Sequence, residues 1–172
     1  MGMLALVMAG GKGSRMGYVE KPMIKVKGKR LIDFVVNELE NAGIDAIYVT
    51  SPHTPTTERY LHEMGMVVFR GEGRGYISDL FLAIRENEIT VPVMNINSDL
   101  YIARTGIILD FLGAYMRSAL PSMSCVYRSG RYAGINAFDP LLGEQAEEKF
   151  IIDERDVINI DTPEDLRRVE NG

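Results

Sequence analysis

Short apolar runs alternate with longer amphipathic stretches along the chain. The run at 3–8 is almost continuously apolar and ends in glycines, which is typical of a buried parallel strand. At 31–42 the apolar residues fall on one helical stripe, and Gly43 follows as a suitable C-terminal cap. The same alternation predicts strands at 3–8, 46–50, 67–69, 91–97, 123–127, 133–138, 150–152 and 157–160, and helices at 31–42, 55–64, 77–86, 107–117 and from 162 onwards.

The order of these elements indicates the class of fold. The last helix has clear start signals, because Thr162 suits the N-cap and Pro163 the first helical position. Strands and helices alternate without a linker, repeat or low-complexity segment between them. We therefore predict a single α/β domain over residues 1–172, built as a three-layer sandwich with a mainly parallel sheet.

Composition narrows the class of protein. The 172 residues are 46% hydrophobic and 25% charged, values that exclude a disordered chain or a coiled coil. The longest apolar stretch, 3–9, is far shorter than the roughly 20 residues needed to span a bilayer, and no secretory signal is recognisable. Cys125 is the single cysteine, which excludes an intrachain disulfide and a thiolate zinc site. We expect a cytoplasmic protein with no membrane partner.

Positive charge is concentrated near the N-terminus. Residues 12–30 carry seven basic side chains and one acid, so this segment has a charge of +6 and the rest of the chain −11. The segment is either a solvated basic loop or a local anion site. Because the remainder is acidic, a broad nucleic-acid footprint is disfavoured, and a small polyanion is the better ligand.

A loop of glycines and cations directly follows the first predicted strand, at 8–17. Its glycines allow the backbone N–H groups to approach a negatively charged ligand, and Lys12 and Arg15 add full positive charges. The Rossmann fingerprint fails because Met16 stands where its third glycine belongs, and the Walker pattern lacks its lysine. The alternative is a tight turn with incidental charges.

An acidic residue, Asp99, follows the strand predicted at 91–97. Open α/β sheets place ligands at the carboxyl ends of their strands, and a carboxylate there can hold Mg²⁺ against phosphate oxygens. The alternative is that Asp99 only caps the turn after Ser98.

Residues 9–17, together with Glu20, Lys21 and Pro22, resemble the signature of the nucleotidyltransferases that include molybdenum-cofactor guanylyltransferases and sugar-phosphate nucleotidyltransferases. In that family the glycine loop wraps the triphosphate, and the lysine before proline reaches the phosphate under attack. The resemblance implies a Rossmann-like nucleotidyltransferase fold and a set of nucleotide contacts. These contacts would come from Ala9, Gly10, Gly11, Lys12, Gly13, Ser14, Arg15 and Lys21.

Further segments narrow the resemblance to the archaeal-type GTP:adenosylcobinamide-phosphate guanylyltransferases. They run in order over nearly the whole chain, at 8–33, 48–55, 73–80, 97–100, 133–136 and 159–166. The resemblance implies transfer of GMP from GTP to adenosylcobinamide phosphate, with release of pyrophosphate. It also implies that Mg²⁺ is the cofactor. It implies no nucleic-acid partner, and we also expect a homodimer.

The resemblance also assigns roles to single residues. Arg15, Lys21 and Asp99 would be catalytic, with Asp161 as a second metal ligand or simply the residue before the Thr162 cap. On the base side, Asp79 would accept hydrogen bonds from guanine, or serve only as a first-turn helix acid. The remaining expected contacts are Pro52, Gly73, Gly75 and Tyr76 near the base, Ser98 as a further nucleotide contact, and Gly134 and Asn136 facing the acceptor phosphate or the ribose.

Other interpretations stay open. The chain could be a molybdenum-cofactor guanylyltransferase, a sugar-phosphate nucleotidyltransferase or a nucleotide-binding regulatory module without activity. The last is disfavoured because Arg15, Lys21 and Asp99 are all present. Residues 128–132 form a shorter excursion than the resemblance leads us to expect on the acceptor side, and His53 and His62 are expected to be surface residues.

Overall fold

A seven-stranded sheet forms the centre of the computed structural model, which describes residues 2–172. The strands are β1 Leu4–Met8, β2 Lys25–Val26, β3 Lys29–Arg30, β4 Asp45–Thr50, β5 Val68–Arg70, β6 Val93–Asn97, β7 Leu100–Ile102, β8 Ser122–Tyr127, β9 Tyr132–Phe138, β10 Glu147–Ile152 and β11 Val157–Asn159. The helices are α1 Leu31–Ala42, α2 Pro55–Glu63, α3 Tyr76–Glu86, α4 Ile107–Arg117 and α5 Pro163–Glu170.

The central sheet has the strand order β10-β8-β9-β6-β1-β4-β5. Strand β1 runs parallel to β4 and β6, β4 is parallel to β5, and β8 is parallel to β10. Strand β9 is antiparallel to both of its neighbours, β6 and β8. The carboxyl ends of β1, β4 and β6 therefore meet at one edge of the sheet, and the turn between β8 and β9 lies at the same edge.

Helices lie on both faces of the sheet, but unequally. Helices α1, α2 and α4 bury one face, with Ile32, Leu61 and Phe111 fully buried there. On the other face, α3 packs its Leu80 and Ala83 against β1 and β4. Within residues 2–172, the apolar cluster on the α3 side contains no residue of β8 or β10. The three-layer α/β sandwich is confirmed, with one layer made by a single helix that leaves part of the sheet uncovered.

The hydrophobic pattern located most elements to within two residues. Helix α1 has the predicted bounds and ends at Gly43 with a φ of +67°, and Thr162 caps α5 by accepting a hydrogen bond from the Asp165 N–H. Strand β6 begins at Val93 rather than at 91, following Pro92, which has no N–H for the ladder. The pattern missed β7 and the β2–β3 hairpin, and no helix within residues 2–172 is long and apolar enough to cross a membrane.

Candidate active site

A cleft of about 440 Å³ opens at the edge where β1, β4 and β6 end. Eleven residues expected at the site line it: Gly10, Gly11, Lys12, Lys21, Gly73, Gly75, Tyr76, Asp79, Ser98, Asp99 and Asp161. Six lining residues were not among the expected contacts: Met8, Pro22, Val49, His53, Arg74 and Asn97. The structure therefore brings most of the predicted residues together from five separate stretches of the chain.

The glycine loop after β1 is held in a compact shape by its own backbone. Gly13 has a φ of +63°, and its carbonyl accepts hydrogen bonds from the N–H groups of Met16 and Tyr18, both 2.9 Å long. A Cβ on Gly13 would lie 2.0 Å from the carbonyl oxygen of Val19. Only glycine suits this position, because any side chain would collide with the backbone and strain a left-handed conformation.

Ser51, at the end of β4, fixes the start of the loop. Its hydroxyl donates a 2.6 Å hydrogen bond to the carbonyl of Gly10, and a Cβ on Gly10 would lie 2.9 Å from the Ser51 Cβ. Ser51 was not among the expected site residues, although its position, polar and directly after a buried strand, is a signal for such a role.

Lys21 lies between two carboxylates, that of Asp99 after β6 and that of Asp161 after β11. Its Nζ is 2.6 Å from Oδ2 of Asp99 and 3.0 Å from Oδ1 of Asp161. Burial alone would favour the neutral amine, but the two carboxylates outweigh it and raise the pKa of Lys21 above its ordinary value. Burial raises the pKa of Asp99, and the Lys21 ammonium opposes that shift. Lys21 thus remains a cation in the cleft and neutralises a carboxylate that is otherwise nearly buried.

Glu20 determines where Lys21 stands. Its carboxylate accepts hydrogen bonds from the N–H and hydroxyl of Thr57, at 2.8 and 2.9 Å, and from the N–H of Thr56 at 3.2 Å. These donors belong to the first turn of α2, whose N-terminus favours a negative charge. The segment that carries Lys21 is therefore anchored to a helix outside the glycine loop.

The pair Asp99 and Asp161 fits a divalent cation. Both carboxylates approach one point, which the Lys21 Nζ occupies in this structure. Within the described residues, no group of three or more His, Cys, Asp or Glu side chains forms a complete protein cage. Two carboxylates suffice for Mg²⁺, which keeps water and phosphate oxygens as its other ligands.

Asp79 lines the cleft and also holds backbone, while its contact with guanine stays a prediction. Its carboxylate is buried and accepts hydrogen bonds from the N–H groups of Glu72 and Gly73, at 2.9 and 3.0 Å. It therefore holds the loop between β5 and α3, and does not serve only as a first-turn helix acid. His53 lies across from this loop, with Nε2 3.1 Å from the Gly73 carbonyl oxygen, so it lines the cleft as well as being surface-exposed.

Some expected contacts lie behind or beside the cleft wall, and Ser98, which lines the cleft, uses its hydroxyl to hold backbone. Ser98 is buried, and its hydroxyl donates a 2.8 Å hydrogen bond to the Met8 carbonyl, which ties β6 to β1. Ala9 is buried in the core. Gly13, Ser14, Arg15 and Pro52 do not line the cleft in the described part of the chain, and Ser14, Arg15 and Pro52 are exposed. Their nucleotide contacts stay predictions.

Gly134 has a packing role, and its contact with the acceptor phosphate or the ribose stays a prediction. Its φ is +86°, and a Cβ there would lie 2.7 Å from the Nδ2 of Asn97. Asn97 lines the cleft, and its Nδ2 donates a long 3.4 Å hydrogen bond to Oδ1 of Asn159. Gly134 thus makes room for the Asn97 amide. Asn136 lies outside the cleft wall, on β9.

The turn between β8 and β9 is tight. The Gly130 N–H donates to the Tyr127 carbonyl, and the Tyr127 N–H donates to the Arg131 carbonyl, both at 2.9 Å. This hairpin is too short to fold over the cleft as a lid, in agreement with the short excursion noted in the sequence.

Comparison with known proteins agrees with this architecture. Residues 5–151 match the family described as the MobA-like NTP transferase domain. The chain is 36% identical to adenosylcobinamide-phosphate guanylyltransferase from Methanocaldococcus jannaschii, over 96% of this chain and 95% of that protein.

Two solved structures share the fold at low identity. CTP:phosphocholine cytidylyltransferase from Streptococcus pneumoniae superposes with a TM-score of 0.75 and 15% identity, over 99% of each chain. A Mycobacterium tuberculosis protein solved in complex with manganese superposes with a TM-score of 0.76 and 14% identity, over 100% of each chain. At these identities the similarity is one of fold.

Proposed function

Because the chain belongs to the family of MobA-like NTP transferase domains, we propose that it transfers GMP from GTP to adenosylcobinamide phosphate in cobalamin biosynthesis. An oxygen of the acceptor's phosphate attacks the α-phosphorus of GTP. The bond from that phosphorus to the bridging oxygen breaks, and pyrophosphate leaves with the electron pair. The full-length similarity to the M. jannaschii guanylyltransferase supports this choice of nucleotide and acceptor.

The observation that carries the proposal is the position of Lys21 between Asp99 and Asp161, beside the glycine loop. The attacking oxygen is already anionic, so the reaction needs no protein nucleophile. It needs in-line positioning and positive charge where negative charge develops. We assign Lys21 to the α-phosphate, and the loop N–H groups with Lys12 and Arg15 to the β- and γ-phosphates.

Mg²⁺ is the proposed cofactor, held by Asp99 and Asp161. When bound, it would neutralise charge on the phosphate oxygens. A protein of the same fold was solved in complex with manganese, which is consistent with a divalent ion. Since Lys21 pairs with the same carboxylates, we propose that its ammonium turns from them toward the substrate phosphate when nucleotide and metal bind.

We assign one half of the cleft to GTP and the other half to the acceptor, following the strand order. His53 and the loop at 73–75 follow the carboxyl ends of β4 and β5, on one side of β1. They would border the guanine. Strands β9 and β8 lie on the other side of β6, which leaves that half of the sheet for the acceptor. Asp99 directly follows β6, at the boundary between the halves, where the acceptor phosphate must meet the α-phosphate of GTP.

Pyrophosphate release tests the proposal. We would measure it with GTP, ATP, CTP and UTP against adenosylcobinamide phosphate, the molybdenum cofactor and a sugar phosphate. The expected result is release only with GTP and adenosylcobinamide phosphate. Release with GTP and one of the other acceptors would change the assigned acceptor, and the assignment as a guanylyltransferase would stand. Nucleotide binding without release in any combination would favour the regulatory module.

A cytoplasmic location and a homodimer complete the proposal. Size-exclusion chromatography with light scattering tests the dimer, and fractionation of the source cells tests the location.

A further inference from the structure

A row of neutral polar side chains crosses the sheet on its α3 side. Asn95 of β6 pairs in register with Asn136 of β9, and Asn136 pairs with Ser124 of β8. The neighbours of these residues along each strand, such as Met94, Ile135 and Cys125, point into the core on the opposite face. Because side chains alternate along a strand, Asn95, Asn136 and Ser124 all point to the face that α3 covers only in part.

Tyr76, at the start of α3, extends this row to the cleft. Its hydroxyl accepts a 3.0 Å hydrogen bond from the Asn95 Nδ2, which leaves the Tyr76 O–H as a donor. Tyr76 lines the cleft and is 39% exposed. We call Tyr76, Asn95, Asn136 and Ser124 the amide row.

Asn136 is the member of the row that is open to a ligand. Asn95 and Ser124 are buried, whereas Asn136 is partly exposed. Among residues 2–172, no protein group hydrogen-bonds its side-chain amide. Two N–H donors and a carbonyl oxygen are therefore presented between two strands.

Apolar side chains border the row. Ile77 and Phe81 lie one helical turn apart on α3 and are 62% and 53% exposed. Phe81 packs against Phe138 of β9, with ring centroids 6.3 Å apart. Lys149 of β10 continues the register beyond Ser124, but its ammonium pairs with the Glu147 carboxylate and the Tyr132 hydroxyl. A neutral amide beside exposed apolar groups suits a ligand with the same combination.

We propose that the amide row binds the body of the acceptor and selects molecules that carry carboxamide groups on an apolar framework. This inference rests on the proposed function, since cobinamide is such a molecule: a macrocycle with amide side chains. An amide of the acceptor would pair with the Asn136 amide, while the Tyr76 O–H donates to a carbonyl. Asn95 and Ser124 position these two groups.

The distance along the sheet suits this arrangement. Asn95 precedes Asn97 by two residues on β6, which is about 7 Å along a strand. Asn97 lines the same cleft as Lys21 and Asp99. An acceptor whose phosphate reaches Lys21 would extend its body over Asn136 and Ser124, with Tyr76 at the boundary to the nucleotide half, next to the loop at 73–75.

The test replaces Asn136 by leucine, which keeps the size but removes the amide. Asn41→Leu is the matched control, because Asn41 is exposed on α1, on the opposite side of the sheet. The KM for adenosylcobinamide phosphate, kcat and the Kd for GTP would be measured. Calorimetry with cobinamide lacking the phosphate, in the presence of GTP, measures binding of the acceptor body alone.

The expected result is a KM at least tenfold higher in Asn136→Leu, with kcat and the GTP Kd within twofold of wild type and cobinamide binding lost. An unchanged KM with an active wild type would overturn the inference and leave the proposed function standing. A wild type that uses only sugar phosphate and does not bind cobinamide would overturn both. Loss of a dimer in Asn136→Leu with unchanged KM would identify the face as an interface between copies and overturn the inference.

Discussion

The Glu20 carboxylate accepts a 2.8 Å hydrogen bond from the Thr57 N–H, which joins the residue before Lys21 to the first turn of α2. Burial opposes the charge on Glu20, but the hydrogen bonds from Thr57 and Thr56 outweigh it and hold the pKa of Glu20 below its ordinary value of 4.5. A lowered pKa in the folded state means that this contact stabilises the protein above pH 4.5 and is lost as pH falls through the folded-state pKa.

Glu20→Gln should therefore destabilise the protein in a pH-dependent way. Glutamine keeps one acceptor oxygen but loses the charge, so we expect a loss of about 1 kcal/mol in the free energy of unfolding at pH 7. The loss should shrink as the pH falls below 4.5, where wild-type Glu20 becomes protonated. Urea unfolding at several pH values measures it, with Glu144→Gln as the control on an exposed loop. An equal loss at every pH would contradict the charge-based explanation.

Lys21→Ala should reduce turnover more than it weakens GTP binding. A cation at the α-phosphate acts most strongly as charge develops in the transition state, so a loss in kcat on the order of 100-fold is expected. Pyrophosphate release gives kcat, and calorimetry gives the Kd for GTP. Because removing Lys21 leaves Asp99 buried without its counter-charge, urea unfolding of the variant must accompany the kinetics. A normal kcat with only KM raised would reduce Lys21 to a binding residue.

Asp99→Asn should keep the fold and abolish metal-dependent activity. The amide has the size of the carboxylate and can still accept a hydrogen bond from Lys21, but it is a poor ligand for a divalent ion. Electron paramagnetic resonance of Mn²⁺ added with GTP reads binding independently of turnover. Asp45→Asn, at the amino end of β4 on the opposite edge, is the control. An active Asp99→Asn enzyme with wild-type Mg²⁺ dependence would show that Asp99 does not bind the metal and only caps the turn after Ser98.

Gly13→Ala should disrupt the glycine loop. The added methyl group would meet the Val19 carbonyl oxygen at 2.0 Å, and a left-handed alanine costs roughly 1–2 kcal/mol by itself. We expect a lower melting temperature and a Kd for GTP raised at least tenfold. Gly143→Ala is the matched control, because its Cβ would meet nothing within 4 Å. Wild-type GTP affinity in Gly13→Ala would show that the loop does not contact the nucleotide.

Local signals predicted the elements that carry strong periodicity or capping chemistry. Helix α1 was located to the residue because its stripe of apolar positions ends at Gly43. The β2–β3 hairpin escaped because two residues are too short to show a period. Strand β7 pairs with β11, more than 50 residues away, and the sequence around it does not encode that pairing.

Within the cleft, the sequence identified the residue types better than their roles. Lys21 and Asp161 are 140 positions apart, so no local pattern could show that they form an ion pair. Asp79 and Ser98 line the cleft, and the sequence did not show that both side chains also hold backbone. Their surroundings decide this, since a buried polar group must find a partner and the nearest one was a backbone atom.

The antiparallel direction of β9 brings the β8–β9 turn to the same edge as the glycine loop. In the proposed arrangement that turn lies beside the acceptor, and seven strands separate it along the chain from the glycine loop. Longer turns grafted between Tyr127 and Tyr132 should therefore alter which acceptor is used and leave Lys21 and Asp99 in place. In an evolving lineage the same separation lets acceptor range diversify by loop insertion alone.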